Sequence, residues 1–234
     1  MEARDIPVGI VGLGLMGTSI AACLLTAGLP VVGVTPVPVD PAEVENHIFS
    51  LLADARKQGI TGASEVDFRR RLLISNDYGQ LKGCRLIIES TLENPGVKKQ
   101  VVEKIEAVIA PDTLLTSNTS AILISLLQKS ICHPERFLRL YWMKPAYTAR
   151  FLEVICGEKS NMDSAEYLCN LARGWGKEPI LVQKDIRGFI TNRLKYALCR
   201  EACFLVENGY ATMESVGRAC RNNAGCWMPP PLSR

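Results

Sequence analysis

Histidine is nearly absent: the 234-residue chain has only two, His47 and His133. A metal centre or a general acid–base pair built on histidine has little to draw on. An excess of one charge is missing too. There are 27 lysines and arginines against 24 acidic residues, and a net +3 is too small to point to nucleic acid. The only basic run, Arg69-Arg70-Arg71, has no aromatic residues interleaved and reads as a solvated helix end. Residues 6–39 carry no charge at all. Gly9, Gly12, Gly14, Gly17, Gly28, Pro30 and Gly33 break that stretch, so no apolar run reaches the roughly 20 residues that cross a membrane. Glu2, Arg4 and Asp5 fit a secretory leader poorly. None of the nine cysteines forms a C-x-x-C pair; Cys199 and Cys203 share a helix face without a histidine nearby in sequence. The expectation is a cytoplasmic protein with buried, reduced thiols and no metal.

What is present is a glycine loop: Gly12-Leu13-Gly14-Leu15-Met16-Gly17. It follows a strand-like run at 8–11 and opens a helix-like run at 18–27. In that setting the first glycine permits a tight turn, the second lets the backbone approach a pyrophosphate, and the third lets the helix pack close to the sheet. A nicotinamide or flavin nucleotide is expected there.

Strand and helix alternate after the loop. Strands are expected at 31–34, 72–74, 85–89, 113–116, 137–143, 150–155 and 179–182. Helices are expected from the Asp40-Pro41 cap to Gly59, at 95–109 and at 164–175. This alternation predicts an α/β fold with a Rossmann-like, doubly wound sheet. The pattern changes near Lys184-Asp185-Ile186-Arg187-Gly188. From there one long helix runs over 189–208, closed by Gly209, and a second over 212–221 with Thr212 as its cap. Two domains are expected, 1–186 and an all-helical segment, 187–234.

Five motifs occur in order: GLGLMGTSIA at 12–21, Glu93-Asn94 with Lys98, SNTS at 117–120, LEVI at 152–155 and GFITNRL at 188–194. Together they resemble the 3-hydroxyacyl-CoA dehydrogenase family, from about Val8 to Met228. The resemblance implies NAD as cofactor and an acyl-CoA substrate oxidised or reduced at C3, in fatty acid metabolism. It implies that Gly12, Gly14, Leu15, Met16, Gly17, Thr35 and Asn118 contact the cofactor, with Glu93 and Lys98 on its nicotinamide side. Ser120 and Asn192 would hydrogen-bond the substrate oxygen, and Glu153 would polarise the catalytic base. Ser50 and Lys57 would contact CoA. Read without the family, Ser50 and Lys57 are surface residues, and Glu93 and Lys98 begin an exposed helix. Ser120 and Asn192 are then local caps. Glu153 resists such a reading, because a carboxylate amid Phe151, Leu152, Val154 and Ile155 is costly to bury unpaired.

Three departures stand out. The family's base is a histidine twelve residues before the glutamate, in a segment like GLHFFNP. Here the segment is Arg139-Leu140-Tyr141-Trp142-Met143-Lys144-Pro145, and the histidine position holds Tyr141. Tyrosine ordinarily titrates near pKa ~10 and histidine near ~6.5, so a tyrosine donates a hydrogen bond but is a poor base at neutral pH. Lys144 is three residues on and, in an extended segment, faces the other way. Next, no acidic residue marks the end of the second strand; Thr35-Pro36 stands there, and Asp40 is the next carboxylate. Finally, the helical segment is short for the family, so a weakened homodimer and exposed apolar surface are expected.

The leading expectation is a 3-hydroxyacyl-CoA dehydrogenase-like oxidoreductase with impaired activity. The alternative is a nucleotide-binding protein of the same fold without catalysis. A β-hydroxyacid dehydrogenase, which would use a lysine such as Lys195, lacks the glycine-rich segment it needs.

Overall fold

The computed structural model describes residues 6–222. It divides into two compact units, one ending at Arg187 and the other starting at Gly188.

The first unit holds eight strands: β1 (Val8–Val11), β2 (Val31–Val34), β3 (Leu72–Ser75), β4 (Leu86–Glu89), β5 (Leu114–Ser117), β6 (Phe137–Trp142), β7 (Phe151–Cys156) and β8 (Glu178–Val182). They form one sheet in the order β3-β2-β1-β4-β5-β6-β7-β8. The first six are parallel; β7 runs antiparallel to β6 and parallel to β8. Only residues 143–150 join β6 to β7, too short for a parallel crossover of about a dozen residues or more.

Helices α1 (Leu15–Thr26), α2 (Pro41–Lys57), α3 (Glu65–Arg69), α4 (Pro95–Glu106), α5 (Ile124–Leu127) and α6 (Met162–Gly174) cover the sheet. Their starts are written locally. Asp40 caps α2 by accepting from Ala42 N at 2.9 Å, with Pro41 in the first turn. Asn94 caps α4, accepting from Gly96 N at 2.9 Å and Val97 N at 3.1 Å. Helix α4 ends at Glu106, short of the expected residue 109. The capping box of Ser64 and Asp67 opens α3, which ends at the basic run read as a helix end; α5 follows the SNTS loop with Leu123, not Ser120, at its N-cap. Arg69, from the basic run, pairs with Glu65 at 2.8 Å and with Glu45.

Strands alternate side chains between two cores, one on each face. Ile10, Leu138, Leu140, Trp142, Leu152 and Val154 join Ile20, Leu24 and Leu168 in one core. Val11, Ile87, Leu115 and Phe137 join Val101, Ile105 and Leu127 in the other. That alternation puts Arg139 and Tyr141, which follow Phe137 at steps of two, on the α4–α5 face.

The second unit contains α7 (Phe189–Glu207) and α8 (Met213–Asn222). Thr212 Oγ1 accepts from Ser215 N at 3.2 Å, as expected of a cap. Leu194, Phe204, Tyr210 and Met213 are exposed. The thiols correct the expectation of burial: Cys23, Cys84, Cys156 and Cys169 are buried, but Cys132, Cys199 and Cys203 are exposed. Cys226 lies outside the described residues. Among the described residues no helix is long and apolar enough to cross a membrane.

Candidate functional site

The C-terminal ends of β1, β2, β4 and β5 converge on a cleft of about 490 Å³. Strand order reverses direction at β1, flanked by β2 and β4, which is where open α/β sheets bind ligands. The glycine loop forms its floor. Gly12 has φ +97°, and a Cβ there would lie 2.6 Å from Ser90 O. A Cβ on Gly17 would lie 1.9 Å from Gly12 O, so α1 packs directly on the turn. Gly14 differs: nothing lies within 4 Å of its absent Cβ. It is the N-cap of α1, with no side-chain cap and no acidic residue in the first turn. The helix N-terminus thus keeps its donors and its positive dipole end for an anion. Among the described residues no charged side chain lines the cleft, so a pyrophosphate would rely on the helix N-terminus.

Of the residues that the resemblance assigns to the cofactor, Gly12, Gly14, Leu15, Met16, Thr35 and Asn118 line this cleft, and Gly17, Glu93 and Lys98 are not among its lining residues. Ser90, Thr91, Leu92 and Val97 line it too and were missed, as were Pro36, Val37, Val39 and Val44. The signal for the first group was the loop after the fourth strand; for the second, the apolar run after Thr35.

Beneath the β4 loop lies a buried polar network. Lys98 Nζ donates to the Glu89 carboxylate at 2.9 and 3.0 Å, and to Thr91 O at 3.3 Å. Both Lys98 and Glu89 have 0% side-chain exposure. Ser117 and Thr91 hydroxyls donate to Glu89 as well. The reading of Lys98 as part of an exposed helix start is therefore corrected. Its ammonium, placed by resemblance on the nicotinamide side, is occupied in holding the loop that carries Ser90 and Thr91. Glu89 was not singled out in the sequence, although a carboxylate closing an otherwise apolar strand was the clue.

Glu93 reaches across to the SNTS loop. Its Oε1 accepts from Thr119 Oγ1, from Ser120 N at 3.0 Å and from Ala121 N at 2.8 Å. Partial burial pushes its carboxyl up, but these donors and the Lys98 ammonium outweigh it and hold the carboxyl below its ordinary range. Ser120 is exposed at this loop.

The third group stands on β6 and β7. Tyr141 and Glu153 are direct partners across the antiparallel pair, so they share a face. Glu153 is wholly buried and Tyr141 partly exposed. Phe151 meets the Tyr141 ring edge-on, centroids 6.4 Å apart. On the same face, two residues before Tyr141, the wholly buried Arg139 stacks its guanidinium carbon 4.6 Å from the ring centroid. Burial pulls Arg139 down to about 9, against the opposing pull of Glu153, Tyr141 and Glu93. It stays a cation at neutral pH, and Glu93 lies within its field. Arg139 was missed as a site residue. Its clue matched that of Glu153: one charge inside an apolar strand.

Asn192 lies in α7, in the second unit. Ser50 and Lys57 are exposed on α2, and Ser50 Oγ donates to His47 O at 2.7 Å.

Comparison with known proteins gives this geometry a family. Residues 7–186 match the NAD binding domain of 3-hydroxyacyl-CoA dehydrogenase. Residues 188–231 match its C-terminal domain. The chain is 35% identical over 212 residues to the 5-formyl-3-hydroxy-2-methylpyridine 4-carboxylate 5-dehydrogenase of Mesorhizobium japonicum, covering 89% of this chain and 67% of that protein. It is 35% identical over 161 residues to the 3-hydroxyadipyl-CoA dehydrogenase of Escherichia coli, covering 69% and 34%. Against the fatty acid oxidation complex subunit alpha of Pseudomonas savastanoi it spans 27% of that protein's length. Among solved structures, the (S)-3-hydroxybutyryl-CoA dehydrogenase of Ralstonia eutropha superposes with TM-score 0.85 at 27% identity, covering 94% of this chain and 78% of that one. The cofactor is thus NAD, and the chain belongs to the 3-hydroxyacyl-CoA dehydrogenase family of NAD-dependent oxidoreductases.

Proposed function

We propose that this protein transfers hydride between NAD and C3 of a 3-hydroxyacyl- or 3-ketoacyl-CoA, with turnover impaired by Tyr141. NAD, when bound, supplies the hydride acceptor or donor. The chain's own residues do the rest. Ser120 and Asn192 steady the substrate oxygen, Ser50 and Lys57 hold CoA, and proton transfer falls to Tyr141 backed by Glu153. The observation that carries this reading is the cross-strand pairing of Tyr141 with Glu153. Tyr141 stands in sequence where the family segment has its base, and a phenol positions a carbonyl oxygen better than it exchanges a proton.

Calorimetry with NAD beside a turnover assay with acetoacetyl-CoA tests it. Binding with turnover about 10²–10⁴-fold below an ordinary enzyme rate is expected, the usual worth of positioned acid–base catalysis. An ordinary rate would show that Tyr141 supports proton transfer unaided. The name of the Mesorhizobium relative makes a formylpyridine carboxylate the second substrate to assay.

A second reading is an NAD-binding protein without turnover, which the phenol standing at the position of the family's histidine favours. NAD binding with no detectable turnover of either substrate would select it. Both readings take the protein as a cytoplasmic homodimer, and a dilution series on a sizing column tests the assembly.

A further inference from the structure

Strands β2 and β3 end side by side: Val34 pairs with Ser75, and the next residues are Thr35 and Asn76. Thr35 N donates to Ser75 O at 3.0 Å, and Thr35 Oγ1 donates to Asn76 Oδ1. Dinucleotide sites of this fold usually put a carboxylate at the end of the second strand, where it accepts from the adenosine ribose. Such a group is negative and accepts only, so it also repels a 2′-phosphate. Here that place is held by a neutral pair.

The pair is oriented. Thr35 is nearly buried and lines the cleft, whereas Asn76 is exposed. With its carbonyl oxygen turned to Thr35, Asn76 keeps two amide N–H donors for a ligand. Donors suit a ribose hydroxyl and a phosphate oxygen alike. The neighbouring carboxylates, Asp40 and Asp77, accept hydrogen bonds within their own turns. Asp40 Oδ1 accepts from Ala42 N at 2.9 Å; Asp77 Oδ1 accepts from Gly79 N at 2.8 Å, and its Oδ2 from Gln80 Nε2 at 3.4 Å. No lysine or arginine occurs between Arg4 and Arg56 to grip a phosphate.

We propose that Thr35 and Asn76 form a neutral ribose-recognition pair, so that the protein binds NADP as well as NAD with only a modest preference between them, and that Asn76 sets this weak choice. Without a carboxylate at the end of β2 the repulsion at that position is removed, and the absence of a cation keeps NADP from being preferred.

Calorimetry of the full chain with NAD and with NADP tests this without any acyl-CoA, so its result stands apart from the turnover assay. The wild-type ratio of dissociation constants, NADP over NAD, is expected below about twentyfold. Asn76→Asp keeps an acceptor for the Thr35 hydroxyl and adds the missing charge. Its melting temperature should match the wild type, since the side chain is exposed, and its NADP/NAD ratio should widen by at least about tenfold. A wild-type ratio above that twentyfold bound, or a smaller widening in Asn76→Asp, overturns the proposal. So does a wild-type chain that binds neither nucleotide.

Discussion

Arg139 and Tyr141 stack on one face of β6, guanidinium carbon 4.6 Å from ring centroid, with Glu153 opposite Tyr141 on β7. In the family segment GLHFFNP these two positions are glycine and histidine. Both have changed here, and the two side chains touch. Their effects should therefore not add. An imidazole placed at 141 with Arg139 intact would sit beside a buried cation, which disfavours its protonated form and so spoils its use as an acid. Tyr141→His alone should raise kcat/KM for acetoacetyl-CoA by less than about tenfold, and Arg139→Gly with Tyr141→His by about 10²-fold or more. A single Tyr141→His variant as active as the double one would show the positions to be independent. NAD calorimetry on each variant confirms that the cleft survives.

The glycines of the loop separate fold from binding. Gly17→Ala forces a Cβ to within 1.9 Å of Gly12 O. The turn must open, so stability and NAD affinity fall together. Gly14→Ala meets nothing within 4 Å, and its φ of −75° is one alanine adopts readily. Alanine is a poorer N-cap than glycine, at a cost of about 1 kcal/mol. The new methyl would stand where the backbone approaches the pyrophosphate. Melting should change little while NAD affinity drops at least about tenfold. Equal losses of both in Gly14→Ala would place the pyrophosphate elsewhere.

The ion pair under the β4 loop should be the most sensitive in the first unit. Lys98 and Glu89 are both wholly buried, 2.9 Å apart. Lys98→Met leaves a buried carboxylate without its cation, at a cost of about 3–5 kcal/mol. Replacing both partners by apolar residues should cost less, because no charge is stranded. The exposed pair Arg85–Asp112 serves as control: Arg85→Ala should shift the urea midpoint little. Similar losses for Lys98→Met and Arg85→Ala would mean that the buried network is solvated.

The fold was legible because its rules are local. Asp40 before Pro41, Thr212 before the last described helix and the glycine loop between strand and helix each specify their element by short-range chemistry. The antiparallel return at β7 was not legible, since it depends on the short 143–150 connection rather than on any strand's own pattern. The site was half legible for the same reason. Gly12 and Gly14 announce themselves through backbone demands. Tyr141 and Glu153 were reached through the resemblance to the family, although their pairing needed the register. Arg139 feels Glu153 on β7, Glu89 binds Ser117 on β5 and Lys98 on α4, and Asn76 meets Thr35 just past β2, all distant in sequence. A single sequence shows such residues only as polar groups at or inside apolar strands, without saying what they meet.

Glu93 gives a pH signature for the loop it holds. Its carboxyl lies below the ordinary 4.5 because Thr119, two backbone N–H groups and Lys98 outweigh the cost of burial. A carboxyl depressed in the folded state contributes stability that is complete above its unfolded pKa. That contribution fades as pH falls through the folded value. Glu93→Gln cannot titrate, so the stability gap between wild type and variant should be constant from neutral pH down to about pH 5, then narrow as pH falls further. Urea unfolding at a series of pH values measures it. The same variant loses the carboxylate that gathers Ser120 N and Ala121 N. The SNTS loop should loosen, and amide exchange at those two residues should quicken at neutral pH. A gap that stayed constant to pH 3 would mean that Glu93 titrates alike in both states and does not anchor the loop by its charge.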